Sequence, residues 1–414
     1  YVEFKEKNNA MNDITRAFFD DYMMPNYAPV DVIPVSGKGS RLYDQAGQEY
    51  IDFAGGIAVN ALGHAHPDLV NAVIKQSKKL WHVSNLLTNE PALALAQHLT
   101  EITFADKVFF SNSGGEANEA ALKLARRYSH DRFGDEKDEI IAFNNGFHGR
   151  TLFTVAVGGQ ENYRTGFGPL PGSIKHLPFN DVEVLRAAVS NKTCAIMVEP
   201  IQGEGGVVNA TTEFIELIRS LCDENNALMI MDEVQTGVGR TGYLYAHEYY
   251  GVTPDILTTA KALGGGFPVA ATLTTKNISD VFVVGTHGST YGGNALACAV
   301  ALTALKTINT PKVLDGVIKR REWITQGLIK IGEKSGCAQI IRGQGLLIGW
   351  VLTSEWKGRA REIVNAAQAE GVFVLVAGAN VVRLAPSLII EREDIEEGLT
   401  RLDKALMGLP SSHD

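Results

Sequence analysis

The sequence predicts an α/β architecture: a mostly parallel sheet covered by helices on both faces, followed by a smaller α+β lobe. Three observations predict it. Short apolar runs alternate with helical segments from about residue 107 to residue 258, the pattern of parallel strands joined by crossover helices. The chain has 414 residues, too many for one small core. Past Thr310-Pro311 the alternation gives way to a long helix, paired strands, another helix and further strands.

In chain order, Asp13 to Tyr22 reads as a short helix ended by Pro25. Arg41 to Phe53 reads as a hairpin turning at Ala46-Gly47. Pro67–Lys79 and Pro91–Thr100 are helices, each with proline in its first turn. Lys107–Phe110 is a short strand, and Glu116–Ser129 a helix with Glu119 four residues before Lys123. Buried strands are expected at Glu139–Phe143, Leu152–Val157, Cys194–Val198, Leu228–Met231 and Ile256–Thr258, with a helix at Thr212–Asn225. The second lobe begins with a helix at Val313–Lys334. Strands follow around Gly345–Thr353, a helix at Gly358–Glu370 and strands to Leu384.

Composition narrows the function. Hydrophobic residues at 45% and charged residues at 21% are ordinary for a globular chain. A net charge of −9 argues against nucleic acid or an anionic membrane as partner. Cys194, Cys222, Cys298 and Cys337 are widely spaced and lack a CxxC, as expected of reduced thiols in a cytoplasmic protein. No apolar run reaches the roughly 18 residues that cross a bilayer. The opening YVEFKEKNN lacks the apolar core of a secretion signal. The 42 glycines cluster in loops beside polar residues, which suits a ligand-binding enzyme.

The chemistry concentrates in two segments. Ala227 to Gly237 reads ALMIMDEVQTG, an apolar run ending in Asp232 and Glu233. Lys261 follows 261 − 232 = 29 residues later, in DILTTAKALGGGFP. A carboxylate at the end of a buried strand is costly without a permanent positive partner. A lysine in a tight, weakly polar loop loses its proton more readily than a solvated one, and so can attack carbonyls. Pyridoxal phosphate requires both groups: a lysine that binds it covalently and an acid that keeps its ring nitrogen protonated.

Other segments offer parts of such a site. Phe109 to Glu119 runs strand, glycine turn, helix. Ser113, Gly114 and Gly115 fall where free amides and the helix dipole attract an anion, or equally where a serine N-cap meets a tight turn. It is not a P-loop, because no GxxxxGK[ST] occurs, and the DE after the apolar run is therefore not that of an ATPase. Gly237 to Gly242 matches GxGxxG, but YLYAHEYYG makes a poor dinucleotide-fold helix and no suitable acid follows. His64 and His66 have no further ligand at metal spacing and suit a structural turn; no metal is expected. Phe147 can stack on a flat ring, and Arg150 can clamp a carboxylate or remain an ordinary surface arginine. Glu199 repeats the strand-then-acid arrangement. Thr286 to Asn294 is a glycine and hydroxyl loop able to bond phosphate, and Arg383 lies in apolar sequence where a guanidinium needs an anion.

Seven segments, SNSGGEANEAALKLARR, FHGRTLFT, EPIQGEGG, DEVQTGVGRTG, TTAKALGGGFP, GTHGSTYGGN and VVRLAPSL, stand in an order that resembles the class III pyridoxal-phosphate aminotransferases. Within them the chain is most similar to the acetylornithine and succinylornithine branch of arginine metabolism. The resemblance implies the type I PLP-dependent transferase fold. Residues 1–62 would join the small domain, 63–310 form the large cofactor domain, and 311–414 the small α+β domain. It implies that Lys261 carries the cofactor and that Asp232, beside Glu233, pairs with its ring nitrogen. Val234 and Phe147 would cover the ring faces, and Gln235 would reach the ring hydroxyl. Ser113, Gly114 and Gly115 would hold the phosphate, completed by Thr290 from the neighbouring subunit of a homodimer. Arg150 would bind the α-carboxylate of the acylornithine and Arg383 that of glutamate or 2-oxoglutarate. Glu199 would neutralise Arg383 when the longer amine is bound, with Ser289 and Asn85 on the substrate side. One departure stands out: relatives usually carry Ala, Thr or Ser where this chain has Gly115, so side-chain help to the phosphate must come from Ser113.

The implied reaction is ping-pong transfer of the δ-amine of an N2-acylornithine to 2-oxoglutarate. Ornithine and 4-aminobutyrate remain alternative amines. A more distant alternative is an NAD-dependent dehydrogenase built on the GxGxxG match.

Overall fold

Among the residues that the computed structural model describes, 14–410, seven strands pair into one sheet. They are β1 (Lys107–Ser111), β2 (Glu139–Phe143), β3 (Ile174–Leu177), β4 (Thr193–Val198), β5 (Leu228–Asp232), β6 (Ile256–Thr259) and β7 (Ala270–Thr274). Their spatial order is β1-β7-β6-β5-β4-β2-β3. Pairing is parallel from β6 across to β3, while β7 runs antiparallel to both β6 and β1. The sheet is therefore mixed but mostly parallel.

Alternate residues explain why it is covered on both faces. Ile141, Phe143, Ile196, Val198, Met229 and Met231 pack against Phe214, Ile218 and Leu221 of the helix Thr212–Asn225. Their neighbours Ile140, Ala142, Ala195, Met197 and Ile230 pack against Ala121, Leu122 and Ala125 of the helix Gly114–Phe133. Both parities are buried, so the strands read as continuous apolar runs.

One expected strand is a helix. Leu152–Val157 is helical, with all but Leu152 buried, and Gly158 N–H closes its last turn on Thr154 O. A short run buried nearly all round carries no periodicity that separates strand from helix. Strands β3 and β7 were not foreseen. Of the N-terminal helix expected from Asp13, Ala17–Tyr22 is helical, and Asp13 lies outside the described residues.

The two ends of the chain meet in a second sheet. Strands Pro34–Lys38, Arg41–Asp44 and Glu49–Asp52 are joined by Val372–Phe373, with Ile51 opposite Val372. A third, antiparallel sheet contains Ala338–Gln344, Leu347–Leu352, Val381–Leu384 and Leu375–Val376 in that order. Arg383 lies on it, opposite Gly349 and Leu375.

The GxGxxG loop proves to be a joint between these bodies. Arg240 is fully buried and donates to the carbonyls of Leu346, Pro386 and Ala58, with no carboxylate among its partners. Burial alone pushes its pKa down to about 9. Gly239 sits at φ 87°, where an added Cβ would stand 2.8 Å from Ile308. A four-residue helix, His247–Tyr250, follows in place of a dinucleotide-fold helix. His64 bonds Asp52 at 2.7 Å, which gives it a structural role in the turn. No cluster of His, Cys, Asp and Glu able to hold a metal occurs among the described residues, and no helix there is long and apolar enough to cross a membrane. All four cysteines are free and buried.

Candidate active site

Four loops leave the carboxyl ends of parallel strands on the same edge of the sheet. They carry Phe147 and His148 after β2, Glu199 after β4, Asp232 at the end of β5, and Lys261 after β6. That edge is where open α/β sheets place their ligands. The loops enclose a cleft of about 290 Å³, lined also by Ser113, Gly114, Gly115, Asn118, Val234 and Gln235.

The floor is a buried polar network centred on Asp232. One carboxylate oxygen accepts from Asn118 Nδ2 at 2.7 Å and from His148 Nδ1 at 2.8 Å; the other accepts from Val234 N–H at 3.0 Å. Thr258 holds Asn118 in turn, through a 2.6 Å bond to Oδ1. Asp232 is thus fixed from three sides, with the cleft on the fourth. Burial opposes the charged form of His148, but its bond to Asp232 outweighs that and raises its pKa. Asn118 and His148 were not foreseen as site residues. The signal for Asn118 was an amide between Ala117 and Ala120 on the helix face that the sheet covers.

Lys261 has φ 43°, a left-handed backbone that a non-glycine residue adopts at a cost of about 1–3 kcal/mol. Such strain is typical of sites where the surrounding loop fixes a reactive side chain. Burial lowers its pKa from the ordinary 10.5 to about 8. At pH 7 roughly 10% of the amine is then neutral, against about 0.03% for a solvated lysine. Covalent capture of pyridoxal phosphate by the apoenzyme, followed by visible absorbance, is therefore expected to accelerate between about pH 6 and pH 8 and to level off above. A rate still climbing beyond about pH 10 would contradict the lowered pKa.

Ser113 caps the 20-residue helix Gly114–Phe133, its hydroxyl accepting from Glu116 N–H at 3.2 Å within a capping box. The serine is the N-cap, and Gly114 and Gly115 line the cleft beside it. Gly114 admits no side chain, because a Cβ would come within 2.7 Å of Val234. At Gly115 the nearest atom would be 3.7 Å away, so a Cβ there would make only ordinary contact. A lysine of lowered pKa, a fixed buried carboxylate and a helix N-terminus on one cleft match the three polar ends of pyridoxal phosphate.

The other expected residues take the following places. Glu233 faces away from the cleft: it accepts from the amides of Ala246 and His247 and from Thr236 Oγ1, and burial raises its pKa to about 7. It anchors the loop behind Asp232. Glu199 does not pair with Arg383. It accepts from Phe147 N–H at 2.9 Å and Gly203 N–H at 3.4 Å, and burial raises its pKa to about 7. Arg383 instead meets Glu204 at 2.6 Å and also bonds Gly203 O and Gln235 Oε1. Burial works against the Glu204 carboxylate, yet Arg383 holds its pKa below the ordinary value. Thr290 and Ser289 line a separate hollow with Phe109, Glu119 and Thr151, and Asn85 donates to Ser289 O at 2.8 Å on the same loop. Arg150 is exposed at the rim, with no ion pair among the described residues.

Comparison with known proteins gives one consistent result. Residues 22–406 match the family model described as aminotransferase class-III. An acetylornithine aminotransferase of Vibrio cholerae serotype O1 is 60% identical over 96% of this chain and 98% of its own. The crystal structure of an N-acetylornithine aminotransferase from Stenotrophomonas maltophilia K279a superposes with a TM-score of 0.83 at 38% identity, covering 94% of this chain and 98% of that one. An ornithine aminotransferase from Toxoplasma gondii ME49 gives a TM-score of 0.90 at 33% identity, with 94% of each chain covered.

Proposed function

The chain belongs to the class III aminotransferases, which depend on pyridoxal phosphate, and from that premise we propose that its amine substrate is N2-acetylornithine, N2-succinylornithine or both. The δ-amine passes to 2-oxoglutarate, giving the N-acylglutamate semialdehyde and glutamate, a step of arginine synthesis or breakdown. The observation that carries this reading is the placement of two arginines at different depths. Arg383 is buried beside Gln235 and closed by Glu204, whereas Arg150 stands open at the rim. The buried Arg383 suits the α-carboxylate of glutamate, which stands beside its reacting nitrogen; the exposed Arg150 suits a δ-amine donor whose carboxylate lies far from the reacting nitrogen.

When bound, the cofactor supplies an electron sink for the carbanion that forms beside the substrate amine. Asp232 would keep its ring nitrogen protonated, Val234 and Phe147 would flank the ring and Gln235 would meet its hydroxyl. Ser113 with the amides of Gly114 and Gly115 would hold the phosphate. The Lys261 amine would hold the cofactor at rest and, once freed, would carry the proton from the substrate carbon as general base and give it back as general acid. Glu204, in place of Glu199, screens Arg383 while the acylornithine occupies the cleft, and swings away when a glutamate carboxylate arrives.

Glu204→Ala tests that screen. It leaves Arg383 permanently uncompensated, so kcat/KM for glutamate relative to N2-acetylornithine is expected to rise about ten-fold or more. An unchanged ratio would remove Glu204 from the substrate exchange.

We further assign the active form to a homodimer in which Thr290 of one subunit completes the phosphate site of the other. Its position in a hollow apart from its own cleft supports this, as do Leu86, Leu87, Val284 and Tyr291, all exposed on neighbouring segments. A cytoplasmic location and the division at residues 62 and 310 belong to the same reading. Steady-state comparison of N2-acetylornithine, N2-succinylornithine, ornithine and 4-aminobutyrate tests the substrate. An acylornithine is expected to lead by at least about ten-fold in kcat/KM, and equal or better use of ornithine or 4-aminobutyrate would overturn the proposal.

A further inference from the structure

Arg150 is held by neither a carboxylate nor a carbonyl among the described residues, but by aromatic faces. Its guanidinium carbon lies 3.7 Å from the centroid of the Tyr163 ring and 5.6 Å from that of Phe147. The two rings meet edge to face, 6.1 Å apart at 85°. Tyr163 closes the 3-10 turn Glu161–Tyr163, which is pinned by Arg164 N–H to Glu161 O at 3.0 Å and by Arg164 Nη1 to His176 Nδ1 at 3.3 Å. Nothing in the local sequence ENYRTG marks this tyrosine, because its role depends on a turn folding back onto the rim.

We infer that Tyr163 is a specificity-determining residue for the amine-donor half-reaction, positioning Arg150 to take the α-carboxylate of an N-acylated ornithine. A planar guanidinium stacked by its face keeps every N–H in its plane free, so the fork that grips a carboxylate stays available. An ion pair would orient the arginine equally well but would occupy that fork and compete with the substrate. Phe147 links the bracket to the cleft floor, setting the clamp at a fixed distance from the ring that Phe147 covers. The α-carboxylate of 2-oxoglutarate would go to Arg383, whose partners Gly203, Glu204 and Gln235 lie outside this bracket. The inference rests on the proposed role of Arg150, and the variants separate the two.

The test is steady-state kinetics of the holoenzyme with N2-acetylornithine and 2-oxoglutarate. Tyr163→Ala is expected to raise KM for N2-acetylornithine roughly ten-fold, the scale of one partly exposed cation–π contact. The kcat and the KM for 2-oxoglutarate should stay within about two-fold, and Tyr163→Phe, which keeps the ring, should restore the parent KM. In an Arg150→Ala background, Tyr163→Ala should add nothing. If Arg150→Ala raises KM for N2-acetylornithine and Tyr163→Ala does not, the role of Tyr163 is refuted while that of Arg150 stands. If Tyr163→Ala raises both KM values alike, the residue is merely structural and the inference fails. If Arg150→Ala itself leaves that KM unchanged, both readings fall.

Discussion

Lys261→Ala is expected to reduce turnover by four orders of magnitude or more and to abolish the visible absorbance of the lysine-bound cofactor. Two losses combine. The amine whose pKa burial lowers would be the group that moves the proton, a contribution of about 10²–10⁴ by itself. The same amine would also tether the cofactor, so its removal should weaken retention. Alanine keeps the Cβ that makes the left-handed backbone costly at that position, so the substitution neither adds nor relieves strain and the variant should fold as the parent does. A normal melting temperature with lost turnover therefore separates chemistry from stability. Partial recovery on adding a small primary amine would identify proton transfer as the missing step. Turnover within about ten-fold of the parent would remove Lys261 from the reaction.

Asp232→Asn is expected to give the second largest effect, a fall in kcat of about two to three orders of magnitude. The carboxylate is 4% exposed and held by Asn118, His148 and the Val234 amide. Its charge is therefore directed at whatever cation enters the cleft. Removing one partner of a buried ion pair costs about 3–5 kcal/mol, of which about 3–4 kcal/mol corresponds in a rate to those two to three orders. His148 adds a pH signature. Its raised pKa depends on the Asp232 charge, so in the variant His148 should titrate lower, visible in its imidazole NMR resonances. An unchanged His148 titration together with near-normal turnover would contradict the network.

What the sequence made legible was local. Asp232 and Lys261 could be singled out because one ends a buried strand and the other follows a buried strand by two residues, so the strand fixes where the side chain emerges. Ser113, Gly114 and Gly115 were legible for a similar reason, since a strand–glycine–helix turn has few ways to fold. Glu199 and Glu204 show where such reasoning stops. Both are acidic, five residues apart in EPIQGEGG, and the chain turns between them at Gly203. Only the turn decides that Glu204 reaches Arg383 while Glu199 drops back onto the Phe147 amide. Glu233 was misplaced by the same kind of ambiguity, because successive strand residues point to opposite faces. The run Leu152–Val157 has apolar, β-branched content that favours a strand, and tertiary packing overrode it. Contacts distant in sequence, such as Ile51 with Val372 or Arg150 with Tyr163, left no local mark at all.

The central claim is that Lys261 binds the cofactor covalently in the resting enzyme. Borohydride reduction of the purified holoenzyme, followed by proteolysis and mass mapping, tests it most directly. The phosphopyridoxyl group should appear on the peptide containing Lys261 and on no other, with loss of the visible band and of activity in parallel. A reduced, inactive enzyme carrying that group on a different lysine, or on none, would contradict the account.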